Sequence, residues 1–150
     1  MSKVETSIII NRPLEEVFAY LSDLRNASQW QSGVLEVRQT PESPVGIGTK
    51  VTLVRKFLGR KVGMTSEIVE YEPNMKLTFK STSGPVPNEG SYLFESTVEG
   101  TKFTARIEVQ PGGFFALAEP VFARMLSRNL EAALGDAKDL LESQAVVASS

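Results

Sequence analysis

Four polar side chains stand among apolar neighbours in this sequence, and their types are the ones that could do chemistry: Arg55, Ser66, Tyr92 and Asn129. The chain holds no histidine and no cysteine. Composition therefore excludes the usual general base near neutral pH, a thiolate nucleophile, the common catalytic triads and nearly all transition-metal sites, and neither metal nor cofactor is expected. Any proton transfer falls to Tyr92, Arg55 or an ordered water. Arg55 shares a strand face with Val51, Leu53 and Phe57, which makes it an inward charge unless its long stem snorkels out at the sheet edge. Met64, Ser66 and Ile68 share a face with Val62, and a hydroxyl buried there needs a partner. Tyr92 joins an apolar ring to a polar tip, which suits either core packing or the orienting of a ligand. Asn129 falls beside Met125 and Phe122 in helical angle, so its amide must be hydrogen-bonded by backbone or by something in a cavity. The carboxylates Glu15, Glu16, Glu70, Glu72 and Glu131 read as solvated surface, with nothing to pair them for acid/base work. Gly46-Ile47-Gly48-Thr49-Lys50 lacks the residue order of a phosphate loop and leads into a strand.

The elements that must position these residues are legible from periodicity. Lys3 to Ile10 is β-branched and ends at Asn11-Arg12-Pro13, where the proline suits a first helical position. Leu14, Val17, Phe18, Leu21 and Leu24 recur at helical spacing, with Glu15 and Glu16 favoured by the helix dipole in the first turn. Asn26 to Trp30 predicts a second helical turn, and Val34 to Thr40 a strand. After a turn region at Pro41 to Gly48, strands are predicted over Thr49–Phe57, Arg60–Glu72, Lys76–Ser81, Glu89–Val98 and Thr101–Gln110. Their breaks, at Leu58-Gly59, Glu72-Pro73-Asn74, Gly84 to Asn88 and Glu99-Gly100, are built from turn residues, and such short connections imply an antiparallel meander. Alternation points Leu77, Phe79, Tyr92, Phe94, Val98, Phe103, Ala105, Ile107 and Val109 to one face, and Thr104, Arg106 and Glu108 to the other.

A single sheet with one apolar face must be covered, and the long helix available to cover it runs from Phe114 to Ser143. Its first half, with Phe114, Phe115, Leu117, Ala118, Val121, Phe122, Met125 and Leu126, spreads apolar residues over about half the circumference at ~100° per residue. Its second half, with Leu130, Ala133, Leu134, Ala137, Leu140 and Leu141, fills only about a third, an ordinary surface-helix stripe. Pro120, among the residues of the first half, is expected to bend or restart the helix.

The order of these motifs carries a resemblance: a strand, Asn-Arg-Pro-Leu-Glu-Glu-Val-Phe-Ala-Tyr-Leu, Ser-Gln-Trp, Ile-Val-Glu-Tyr-Glu-Pro before a strand, Tyr-Leu-Phe-Glu, Glu-Gly-Thr-Lys-Phe-Thr and a long terminal helix. Over residues 3–143 it resembles the polyketide cyclase/dehydrase-like branch of the START/Bet v 1 (SRPBCC) superfamily. The resemblance implies an α+β helix-grip fold, with two short helices after the first strand and a curved seven-stranded antiparallel sheet around the C-terminal helix. It also implies a deep apolar cavity between sheet and helix, with Trp30 near its mouth. The residues expected to line that cavity are Trp30, Arg55, Met64, Ser66, Phe79, Tyr92, Phe94, Phe122, Met125 and Asn129.

The rest of the composition narrows the partners. At 150 residues and 41% hydrophobic content the chain can bury a core as one domain over residues 1–150, with a frayed tail from residue 145. A net charge of −2 from 16 basic and 18 acidic residues, with no basic block, leaves no footprint for nucleic acid or an anionic membrane. With neither a charged-then-apolar leader after Met1 nor a run long enough to span a bilayer, a cytoplasmic protein is expected. The expected function is binding of a small apolar molecule: a polyketide, lipid or aromatic metabolite. The alternatives are a cyclase or dehydratase using the same cavity, and a protein-interaction domain. Edge strands of the sheet could pair in a homodimer.

Overall fold

A computed structural model of the chain describes residues 2–31, 34–40, 46–57, 59–83, 87–109 and 119–148. It has a seven-stranded antiparallel sheet: β1 (Ser2–Ile10), β2 (Val34–Thr40), β3 (Lys50–Phe57), β4 (Arg60–Glu72), β5 (Lys76–Ser83), β6 (Asn88–Thr97) and β7 (Gly100–Val109). The strands lie in the order β1-β7-β6-β5-β4-β3-β2, so β2 to β7 form a meander and β1 closes on β7. Between β1 and β2 come α1 (Leu14–Leu21), a single 3₁₀ turn (Leu24–Asn26) and α2 (Ala27–Trp30); α3 (Glu119–Ala148) ends the chain. This is the helix-grip architecture of START/Bet v 1-like proteins.

Local chemistry explains most boundaries. Pro13, in extended conformation, is the N-cap of α1 and not its first helical residue, so the helix starts one residue later than expected. Glu16, in the first turn, holds Arg12 at 2.6 Å. Asp23 accepts a hydrogen bond from the Arg25 amide and starts the 3₁₀ turn. Between β3 and β4, Gly59 takes a φ of 79°, which a side chain would resist, so the two strands join through a two-residue connection with Phe57 opposite Arg60. Register shifts interrupt the β2–β3 pairing at Val34/Glu36 and the β4–β5 pairing at Thr65/Ser66 and Ile68/Glu70. Such bulges add twist and curl that half of the sheet.

The concave face meets two layers. α1 buries Val17, Phe18 and Leu21. α3 lies along β1 and α2, burying Leu130, Ala133, Leu134, Ala137 and Leu141, the expected stripe. Lys138 Nζ, from α3, donates to the Ile9 carbonyl at 2.8 Å and to Glu142 at 2.6 Å, while Glu142 accepts from the Asn11 amide at 2.9 Å. On the convex face the predicted wet residues pair across strands, Arg106 with Glu5 at 2.9 Å and Lys3 with Glu108 at 3.7 Å.

One expectation needs correction. Val98 is not on the inner face: Thr97 pairs with Gly100, so Val98 sits in the tight turn between them and is fully exposed. Pro120 is the second residue of α3 (Glu119–Ala148), and the residues before Glu119 that would show a bend or a restart lie outside the described residues. Phe114, Phe115, Leu117 and Ala118 lie outside the described residues.

Candidate functional site

α2 ends at Trp30 because the next residue, Gln31, leaves helical geometry (φ −106°, ψ 119°) while its amide still donates to the Ala27 carbonyl at 2.8 Å. That turn leaves Trp30 buried, 2% exposed, against the sheet. Its ring centroid lies 5.9 Å from that of Tyr92 and 6.2 Å from that of Phe103. Tyr92 in turn meets Phe79 and Phe103, each at 5.3 Å in edge-to-face geometry. Phe94 stacks on Phe103 at 5.2 Å and reaches Phe18 of α1 at 5.0 Å. A continuous aromatic floor thus runs across β5, β6 and β7. Gly90 makes room for it, since a Cβ there would lie 2.4 Å from the Phe79 ring.

A polar chain stands at the edge of this floor. Arg55 pairs across the sheet with Val34 on one side and Val62 on the other, which places it on the concave face. It is half-buried, and its Nη2 donates to the Gln31 side-chain oxygen. Arginine can only donate, so the amide oxygen of Gln31 faces it and the amide nitrogen faces Tyr92, donating to the hydroxyl at 3.3 Å. Tyr92 is therefore an acceptor in this bond, and its own O–H hydrogen is not used by it. Burial pushes the Tyr92 phenol up to about 12, with Arg55 and Gln31 pulling the other way. Burial also lowers the Arg55 pKa, opposed by Tyr92. Among the described residues no carboxylate pairs with Arg55. The set offers hydrogen-bond donors and a cation. It contains no base that works at neutral pH.

The structure brings together Trp30, Arg55, Phe79 and Tyr92. Met64 and Ser66 sit on the same concave face, opposite Leu53 and Val51 of β3, and both are half-buried. Phe94 belongs to the solid core beneath α1. Met125, 46% exposed, and Asn129, also exposed, are not part of the buried face of α3. Asn129 is one residue, roughly 100°, around the helix from Leu130; among the described side chains the buried stripe runs through Leu130 and Leu134, and the Asn129 side chain is exposed, not the buried group that its angle suggested. The Phe122 side chain lies outside the described residues. Gln31 is the residue that sequence reasoning missed: the direction of a side chain just past a helix end carries no periodicity signal.

A family model described as polyketide cyclase / dehydrase and lipid transport matches residues 1–142. The chain belongs to this family. Solved structures agree on the architecture. TTHA0849 from Thermus thermophilus superposes with a TM-score of 0.81 at 22% identity, covering 99% of both chains. The Zhui aromatase/cyclase from Streptomyces sp. R1128 gives 0.74 at 16% identity, over 95% of this chain and 94% of that one. The di-domain aromatase/cyclase StfQ of the steffimycin biosynthetic pathway gives 0.76 at 19% identity; 95% of this chain is covered but only 51% of that protein. No match was found among curated proteins.

Proposed function

We propose that the chain, acting as one ligand-binding domain, binds a small, largely apolar molecule against the concave face of β3 to β6, with Arg55, Gln31 and Tyr92 as its polar anchor. The observation that carries this reading is the partial cover of that face. Leu53, Arg55, Val62, Met64, Ser66 and Phe79 all point inward yet stay only half-buried, and α3 packs on β1 and α2. Apolar walls with a few convergent polar groups are the usual chemistry of small-molecule sites. The family supports the same class of ligand, since its description joins polyketide chemistry to lipid transport.

A second reading, turnover of a polyketide-like chain, is favoured by the donor set itself. Tyr92, held protonated at neutral pH, and Arg55 can polarise a carbonyl, while proton removal would need water.

Trp30 is the only tryptophan and touches Tyr92, so its emission reports on the site. Titration with decanoate and 2-naphthoate esters is expected to change that emission saturably. Native mass spectrometry of the purified protein is expected to show retained small molecules. No spectral change and no retained mass together would sink the binding reading.

A further inference from the structure

The polar chain at Arg55 has a direction, and the direction constrains the ligand. Each link donates onward: Arg55 to the Gln31 oxygen, then the Gln31 nitrogen to the Tyr92 oxygen. The last member keeps an O–H hydrogen that this chain does not use. At the other end stands a guanidinium whose described partner is a neutral amide oxygen, with no carboxylate in ion-pair reach among the described residues. A charge drawn away from water is ordinarily matched by an opposite charge, because a lone dipole returns only part of its lost hydration. The chain ends in donors and holds an unmatched cation. Its chemical complement is an acceptor carrying negative charge.

We infer that the molecule bound on this face carries a carboxylate, which pairs with the Arg55 guanidinium beside the Trp30, Phe79 and Tyr92 rings. This inference rests on the binding reading above and adds the ligand's charge and its orientation. The acid end sits at Arg55, between the end of α2 and the β3–β4 hairpin. The apolar body lies over Leu53, Met64 and Phe79. Arginine suits this role through its fork of N–H donors, which matches the two oxygens of a carboxylate. Gln31 is a positioning residue: it holds the guanidinium in place while the site is empty and can yield its acceptor position when a stronger acceptor arrives.

The test compares matched probes that differ only in charge, decanoate with methyl decanoate and 2-naphthoate with its methyl ester, read by Trp30 emission and by calorimetry at neutral pH and low salt. The wild-type protein is expected to prefer each acid over its ester by on the order of tenfold or more, as a charge-assisted hydrogen bond provides. Arg55→Gln is expected to lower acid affinity at least to that of the matched ester, abolishing the preference, and Arg55→Lys to retain part of it. If acid and ester bind the wild-type protein equally, the carboxylate inference falls and the binding reading stands. If neither binds, both fall. Should Arg55→Gln fail to fold, the acid-to-ester ratio in the wild-type protein still decides.

Discussion

The β1–β7–β6 part of the sheet and the hairpin end of β3–β4 are built from the same alternating pattern, yet they end in different environments. In the first, Val4, Ile10, Phe94, Phe103 and Ala105 are buried beneath α1 and α3. In the second, Leu53, Arg55, Val62 and Met64 face the same way and remain half-buried. The difference lies in the cover. α3 follows β1, and the bulges in β2 and β4 curl the far strands. One region is packed beneath two helices, and in the other the inward residues stay half-buried.

The covered region should respond most strongly to loss of volume. Leu134, 1% exposed, anchors α3, and Leu134→Ala is expected to cost about 2–5 kcal/mol in urea unfolding. A loss under about half a kcal/mol, far below that range, would show that α3 is not held to the sheet by this stripe.

The junction between the two regions should respond to pH. Burial raises the Tyr92 pKa from 10.0 to about 12, so the folded protein keeps a proton that the unfolded chain releases. Stability from this group is complete below about pH 10 and falls as pH rises toward 12, by roughly 2–3 kcal/mol at most. Unfolding measured at pH 9 and pH 11 should show a smaller alkaline loss in Tyr92→Phe than in the wild type. Equal losses would mean that Tyr92 is not withdrawn from water.

Adding volume separates the two regions most directly. Ala105, fully buried between Thr6 and Tyr92, meets packed neighbours, and Ala105→Phe is expected to destabilise by about 1–3 kcal/mol. Met64→Trp enters the half-covered region, so it should cost less than Ala105→Phe while blocking probe binding, read by calorimetry because the variant carries a second tryptophan. Equal destabilisation by both, with the heat of probe binding unchanged in Met64→Trp, would erase the distinction. The smallest effect belongs to the convex surface: Arg106→Ala, which loses the exposed pair with Glu5, should change stability by no more than about 1 kcal/mol.

Much of this arrangement was legible in one dimension. The strand from Val34 to Thr40 and that from Arg60 to Glu72 fall where alternation and turn residues put them, and the stripe from Leu130 to Leu141 follows helical spacing. Arg55, Phe79 and Tyr92 were legible as inward residues because strand period ties side-chain direction to position. Asn129 was misread for a related reason. Helical spacing orders residues around an axis but does not say how wide a sector the sheet will cover.

The sequence by itself determined the order of elements, the face that residues take along an uninterrupted strand, the motifs that resemble the family, and the absence of histidine and cysteine chemistry, since all of these depend on residue type and local period. Only the tertiary structure decided that Gln31 joins Arg55 to Tyr92 and that Met125 and Asn129 lie outside the buried stripe. It alone decided that the β3–β4 hairpin keeps its inner residues half-open. Each of these depends on how elements distant in sequence are placed against one another, and that placement is the balance of many small packing contacts that no local pattern records.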